Sequence, residues 1–168
     1  MVEVFFLDVV AQYLESSEPS NSEHLWRYTP WKRVHPLGSF SNIPDSVISP
    51  KAKLSYLDGT EVKNVYLEKS ELNLSTNKND PEISASFIRA LCGGVCHKLV
   101  IPKNTIIEQP LFLDLNVSGY VSAFHLIIEN KSNSKFELIT SIHGDAEWFG
   151  LLREGKLDTN TNFSDLLV

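Results

Sequence analysis

Short apolar runs separated by turns dominate the C-terminal half of the sequence, and they constrain its fold more than any other feature. The runs cover residues 99–101, 105–107, 111–115, 124–128 and 136–139. The last three begin about a dozen residues apart, which is typical of β-strands joined by short turns. No single run can bury its apolar face alone. The pattern therefore predicts either an antiparallel sandwich or the successive coils of a β-helix.

The N-terminal half predicts helices and one hairpin. Apolar residues at helical spacing indicate an amphipathic first helix; they are Phe6, Val9, Val10, Tyr13 and Leu14. Asp58-Gly59 lies between the alternating segments 53–57 and 61–67, which is the strongest hairpin signal in the chain. Pro81 suits the first turn of a helix over residues 81–92. The fold class expected from these patterns is mainly β with an α/β N-terminal part.

Composition excludes some classes of partner. The chain has 21 acidic against 15 basic residues, and its basic residues are scattered, which argues against a nucleic-acid partner. No segment approaches the ~20 apolar residues that cross a bilayer, so no membrane partner is expected. The apolar run at residues 2–10 contains Glu3 and Asp8 and lacks the flanks of a signal peptide. We therefore expect a cytoplasmic protein with reduced cysteines.

Cys92 and Cys96 form the only cluster of soft metal ligands in the sequence. Two cysteines at this spacing could bind one ion, but a zinc site needs further ligands, for which His24, His35, His125 and His143 are candidates. The alternative is structural: Cys92 completes the apolar stripe of the helix, Gly93-Gly94 caps it, and Cys96 is a small buried residue of the next strand. The sequence favours this alternative, because an isolated C-x-x-x-C is a weak signal.

Acid/base catalysis is not expected. His143, Asp145 and Glu147 form the densest group of titratable residues, but no nucleophile elbow, metalloprotease helix or phosphate-binding loop accompanies them. A solvated turn is the favoured interpretation, and we expect the protein not to be an enzyme.

An aromatic and basic segment near the N-terminus contains Trp26, Arg27, Tyr28, Thr29 and Trp31. Its rings could pack against the first helix and the hairpin, with Arg27 stacked on one of them. Alternatively, Trp31 and Arg33 could anchor a partner protein, since Trp and Arg dominate interface hot spots. Packing is the favoured interpretation.

Several ordered segments resemble the SufB/SufD family of iron–sulfur cluster assembly scaffold proteins. The first is Trp26-Arg27-Tyr28-Thr29, within an E-x-W-R-Y-T-like signature, and the second is the Asp58-Gly59 element at residues 57–62. The helix at residues 87–91 and the segment 99–111, with Pro102-Lys103 and Pro110, follow in the family's order. The resemblance implies an α/β region at residues 1–92 followed by a truncated right-handed parallel β-helix at 93–150. The mostly polar sequence from Arg153 onward separately predicts a C-terminal tail at 151–168 that forms a loop and a terminal turn.

The resemblance also implies a function, namely a short SufD-like scaffold subunit that takes part in iron–sulfur cluster assembly through protein–protein association. Family members pair through their β-helices and bind a SufC-like ATPase through C-terminal helices. The implied partners are SUF subunits, a SufB-like one or SufC-like ATPase within the complex, or a second copy in a dimer. No stably bound cofactor is expected, and a cluster only in complex with partners. No cluster ligand of the family maps onto this sequence.

The resemblance leads to one expectation about how the strands associate. An unfinished β-helix exposes a strand edge, so we expect the strands between residues 111 and 142 to pair with another copy or a SUF subunit.

The alternative function is a small metal-binding cupin-like β-fold protein, in which His125 and His143 converge on one ion inside a barrel.

Overall fold

The computed structural model describes residues 9–20, 22, 26–72 and 82–168. Three helical segments are present in this part of the chain: α1 at residues 9–14, α2 at Trp31–Val34 and α3 at Ile83–Leu91. The predicted first helix and the helix at 81–92 are confirmed where they are described, whereas Phe6 and Pro81 lie outside the described residues. No helix in the described ranges is long and apolar enough to span a membrane.

Within the described ranges, eight strands form two four-stranded sheets, so the prediction of a mainly β fold is confirmed. The strands are β1 Lys51–Tyr56, β2 Leu67–Glu71, β3 Val95–Ile101, β4 Leu111–Val117, β5 Val121–Asn130, β6 Lys135–Gly144, β7 Trp148–Leu157 and β8 Asn162–Leu167. One sheet has the order β1-β4-β6-β8 and the other β2-β3-β5-β7. Only β1 with β4 and β2 with β3 are antiparallel; the remaining pairs are parallel. From β3 onward the chain alternates between the sheets.

The parallel pairs repeat with a nearly constant step along the sequence. Leu111 pairs with Leu138 and Leu138 with Asp165, a step of 27 residues each time. A ladder of asparagine side chains follows a similar step: Asn133 donates to Asn104 at 3.0 Å, and Asn160 donates to Asn133 at 2.9 Å. All three have positive φ, which asparagine tolerates at a turn. Equivalent turns therefore stack on one another.

The main core lies between the two sheets. Alternate residues of β3 to β6 point into it and are almost fully buried, as the period of two along a strand requires; they include Leu99, Leu113, Phe124, Leu126 and Leu138. A second cluster lies on the opposite face of β5, where α3 packs Phe87 and Ala90 against Val121 and Ala123. Because β5 is covered on both faces, nearly all its residues are buried.

The predicted hairpin is wrong, although its turn is present. Gly59, at φ 86°, donates to Tyr56, and Thr60 donates to the Asp58 side chain at 2.9 Å. The two flanking strands then belong to different sheets, because β1 pairs with β4 and β2 with β3. Val62 and Val65 are buried in the main core instead of forming a second strand. Pairing of β1 with β4 and of β2 with β3, whose side chains form the main core, is therefore favoured over a local hairpin.

The C-terminal segment also differs from expectation. A loop and a terminal turn were expected at residues 151–168, but β7 continues to Leu157 and β8 follows. Both strands extend existing sheets in parallel register. Each sheet also contains strands from both sides of residue 92, so both sheets extend across the boundary expected there. The segment 105–107 contributes only the Ile106–Lys135 bridge rather than a strand.

The strands between residues 111 and 142 are internal, which contradicts the expectation that they pair with another protein. β4 lies between β1 and β6, and β5 lies between β3 and β7. The sheets do not close into a barrel in the described part of the chain, so the enclosure that a cupin-like site needs is not formed there.

Candidate functional site

The structure does not bring the described candidate metal ligands together at one point, although Cys92 and His125 line the same small cleft. His24 lies outside the described residues, and His35 is buried against Trp31 and Phe87. Cys92 is the C-cap of α3, and Cys96 is fully buried in β3. His125 lies in β5, whereas His143 lies in the other sheet, where its Nδ1 is 3.1 Å from Asp114 Oδ1. No three His, Cys, Asp or Glu residues of the described ranges are placed to hold one ion.

The environment of the cysteines matches the structural interpretation. Gly93 and Gly94 both have positive φ and complete the helix cap between Cys92 and β3. Burial, with a smaller contribution from Cys96, raises the pKa of Cys92 to about 12. Burial also raises the pKa of Cys96. Both thiols are protonated at neutral pH and are poor nucleophiles and metal ligands in that form.

The aromatic segment divides into a buried and an exposed part. Trp31 is 2 % exposed, donates to Tyr13 Oη at 3.3 Å and packs edge-on against Trp26 and Phe87. Arg27, Tyr28 and Thr29 face solvent, with Tyr28 82 % exposed. Trp31 thus belongs to the second core cluster, and the solvent-facing surface of the segment is formed by the residues before it.

An ion-paired cluster that the sequence did not predict connects α3 to β5 and β7. Glu154 accepts hydrogen bonds from Arg89 Nη2 at 2.8 Å and from His125 Nε2 at 2.5 Å. The side chains of Arg89 and His125 are 5 % and 0 % exposed, and that of Glu154 is 34 % exposed. The His125 hydrogen bond, together with the charge of Arg89, holds the pKa of Glu154 below its ordinary value. The carboxylate therefore remains charged and links the helix to the sheet.

A sequence signal for this cluster existed only in part. Arg89 lies in a helix in which seven of its eight other residues are buried, Ser84 being the exception, so a basic residue there needs an acidic partner. The identity of that partner depends on the register of β7, 65 residues further along the chain.

The two ends of the paired sheets differ. At the β1 and β2 end, these strands also have no neighbour on their outer edges among the described residues, but the segment between them inserts Val62 and Val65 into the core. At the opposite end, β7 and β8 have no neighbour on their outer edges among the described residues. We call this surface the open end. It carries exposed apolar side chains; they are Leu157, Leu166, Leu167 and Val168.

The open end also places charges on the side of the core. Leu126 pairs with Arg153 and Leu138 pairs with Asp165, and paired residues of parallel strands point to the same face. Arg153 Nη1 donates to Asp165 Oδ2 at 2.6 Å, so an ion pair joins β7 of one sheet to β8 of the other. In the neighbouring strands β5 and β6, the equivalent positions are Leu126 and Leu138 of the main core. Core-facing charges at an edge are a known way to discourage indiscriminate strand addition.

No protein-family model matches the chain, no curated protein matches it, and no solved structure matches it.

Proposed function

We propose that the protein is a non-enzymatic scaffold subunit of SufD type, which takes part in iron–sulfur cluster assembly by associating with another protein through its open end. The resemblance of residues 26–29, 57–62 and 87–111 to the SufB/SufD family supports the assignment of the system. The geometry of the sheets supports the mode of association.

The fold that belongs to this proposal is the beginning of a right-handed parallel β-helix. The alternation of β3 to β8 between two sheets, the step of 27 residues between parallel partners and the asparagine ladder are all features of stacked coils. The right-handed sense is taken from the resemblance.

One observation carries the proposal: in the described part of the chain, β7 and β8 have no neighbour on their outer edges, and exposed leucines accompany both edges at the same end of the two sheets. An unpaired edge offers backbone donors and acceptors to an added strand. Leu157 is 58 % exposed and Leu166 54 % exposed, so an added strand would also bury apolar area worth roughly 25 cal/mol per Å².

The partner in this proposal is a SufB-like subunit or a second copy of the chain, with a SufC-like ATPase joining through the complex. A cluster would be cargo of the assembled complex, because the candidate ligands of this chain do not converge. Arg27, Tyr28 and Thr29 form a second exposed surface for such contacts.

A charge-insertion experiment tests the proposal. The double substitution Leu157→Lys and Leu166→Lys places two charges at the open end, while Ile106→Lys is a matched control at a 63 % exposed residue away from it. We expect the unsubstituted chain and the control to form a dimer, or a complex with a purified SufB-like subunit, in sedimentation experiments. The double variant should remain monomeric and folded by circular dichroism.

Amide exchange identifies the surface used. Association through the open end should slow exchange in β7 and β8 and leave β1 and β2 unchanged. A monomer at high concentration that also fails to bind a SufB-like subunit, or equal association of the double variant and the control, would contradict the proposal.

A further inference from the structure

A small cleft interrupts the sheet beside β5. On the flank of β5 away from β7, Ile48 bridges to Ser122, and β3 takes over as the neighbour only at Leu126, which pairs with His97. Between these two pairings the sheet has a gap. A cleft of about 130 Å³ lies there.

The cleft has an apolar wall and a smaller set of basic and polar side chains. Its lining includes Lys69, His97, His125, Ser49 and Cys92. Among the described residues that line it, none is acidic. Lys69 and His97 lie directly opposite each other in the antiparallel β2–β3 pair, so their side chains share one face of the sheet. A lysine ammonium at this mouth gives the cleft a positive charge.

Two imidazole rings are held in place at the cleft. His97 stacks on Phe124 with ring centroids 4.3 Å apart. His125 is 1 % exposed, and Glu154 holds its Nε2 from the β7 side, opposite the cleft. The remaining polar atom of that ring, Nδ1, is buried and has no hydrogen-bond partner among the residues that the structure describes. A buried polar atom of this kind costs about 1–3 kcal/mol unless a ligand or water satisfies it.

We propose that this cleft binds a small oxyanion, such as a sulfate, phosphate or carboxylate group, between the Lys69 ammonium, the His97 ring and the Nδ1–H of His125. In the bound state the His125 ring is protonated on both nitrogens, so that Nε2–H still donates to Glu154 while Nδ1–H donates to the anion. The size agrees with a ligand of a few heavy atoms, since one buried water needs roughly 10–15 Å³ of such space. The positive charge of Lys69 and the lack of a lining carboxylate favour an anion over a cation. This site does not depend on the open end or on a SUF partner.

A change in the pKa of His97 should report whether an anion is bound in the cleft. Burial, followed by the charges of Lys69 and His125, lowers the pKa of His97. A bound anion opposes these positive charges and favours the protonated ring, so the pKa of His97 should rise when the site is occupied.

The experiment is a titration of the full chain with sodium sulfate, followed through the imidazole carbon–proton resonances. Sulfate keeps the same charge between pH 5 and 8, so a change in the His97 titration reports on the protein. We expect a saturable shift of His97 and a raised pKa, while His143 in the other sheet does not respond. Sodium acetate in a parallel titration distinguishes a carboxylate from a tetrahedral oxyanion, and sodium chloride at matched ionic strength controls for screening.

Lys69→Met tests the proposed contact, and Lys51→Met is its matched control on the other sheet. Both lysines are exposed, so both variants should fold. Loss of the charged contact should weaken sulfate binding roughly tenfold or more in Lys69→Met only. A His97 response that does not saturate, that His143 shares, or that is the same in both variants would overturn the proposal.

Discussion

Residues of β5 and β6 are paired side by side with residues of the terminal strands β7 and β8, but the paired side chains differ in kind. Leu126 and Leu138 are buried, whereas their partners in the next strands are Arg153 and Asp165. A strand with neighbours on both edges can place leucine toward the core at no cost in exposed apolar area. At the open end, core-facing positions are partly hydrated, and an ion pair is tolerated there. Burial in this protein therefore follows from the number of neighbouring strands.

The largest difference in stability between the two regions should appear at residues paired side by side across three neighbouring strands. They are Leu113, Thr140 and Leu167. Leu113 is fully buried and Leu167 is 47 % exposed. Leu113→Ala removes packed methyl groups and should lower the free energy of unfolding by about 2–5 kcal/mol. Leu167→Ala should change it by less than about 0.5–1 kcal/mol. Urea unfolding measures both, and equal losses would mean that the open end is as well packed as the interior.

Glycines give the second comparison. A Cβ at Gly144 would lie 2.0 Å from the Val117 carbonyl oxygen, and Gly144 has φ +128°, so Gly144→Ala should destabilise by roughly 3 kcal/mol. Gly155 lies beside Ile128 in the terminal strand β7, where a Cβ meets nothing within 4 Å. Gly155→Ala should be neutral or stabilising by up to about 1 kcal/mol. Melting curves of the two variants decide the point, and a destabilised Gly155→Ala would indicate unexpected crowding at the open end.

Glu154→Gln should have an intermediate effect, because this residue belongs to β7 but contacts buried side chains of α3 and β5. The loss should be about 1–2 kcal/mol at pH 7, since Arg89 and His125 lose a charged acceptor. The pKa of Glu154 is lowered in the native state, so its contribution is present above its ordinary value of 4.5 and disappears as the pH falls through the native value. The difference between the original chain and the variant should therefore shrink below pH 4.5.

Glu137→Gln, at an exposed residue of β6, is the matched control and should cost little at either pH. A Glu154→Gln loss that persists undiminished at low pH would show that packing, and not the charge, stabilises the junction.

The smallest effect is expected for the ion pair at the open end. Arg153→Met removes a contact whose two side chains are 28 % and 25 % exposed. The loss should be below about 1 kcal/mol and should decrease further at high salt. Urea unfolding at low and high salt measures it. A larger loss, unaffected by salt, would indicate that the core-facing ends of β7 and β8 are drier than the structure indicates.

The first helix, α3 and most strands could be predicted because their information is local, whereas the short helix α2 was not predicted. The apolar stripe of α3 repeats at helical spacing, and the runs that became β4, β5 and β6 alternate or are continuously apolar. The glycine cap after Cys92 was also readable, since positive φ is a property of the residue itself. β7 and β8 were missed because their sequences carry Arg153, Lys156 and Asp165 in place of an apolar pattern.

For the candidate metal ligands, too, local features could be predicted from the sequence and their relative positions in the fold could not. The sequence indicated that Cys92 and Cys96 are structural, but it could not separate His125 from His143 in space. That separation depends on which sheet each strand joins, and parallel partners here are 27 to 29 residues apart.

The sequence by itself determined a mainly β protein with a glycine-capped helix ahead of the strands of its C-terminal half, because propensity, periodicity and turn chemistry act over a few residues. Only the tertiary structure decided that β1 and β2 separate into different sheets, that Glu154 joins Arg89 to His125, and that a cleft opens between Ile48 and His97. Those outcomes are set by strand register, and register follows from burying whole apolar faces against distant partners. No local pattern contains that information.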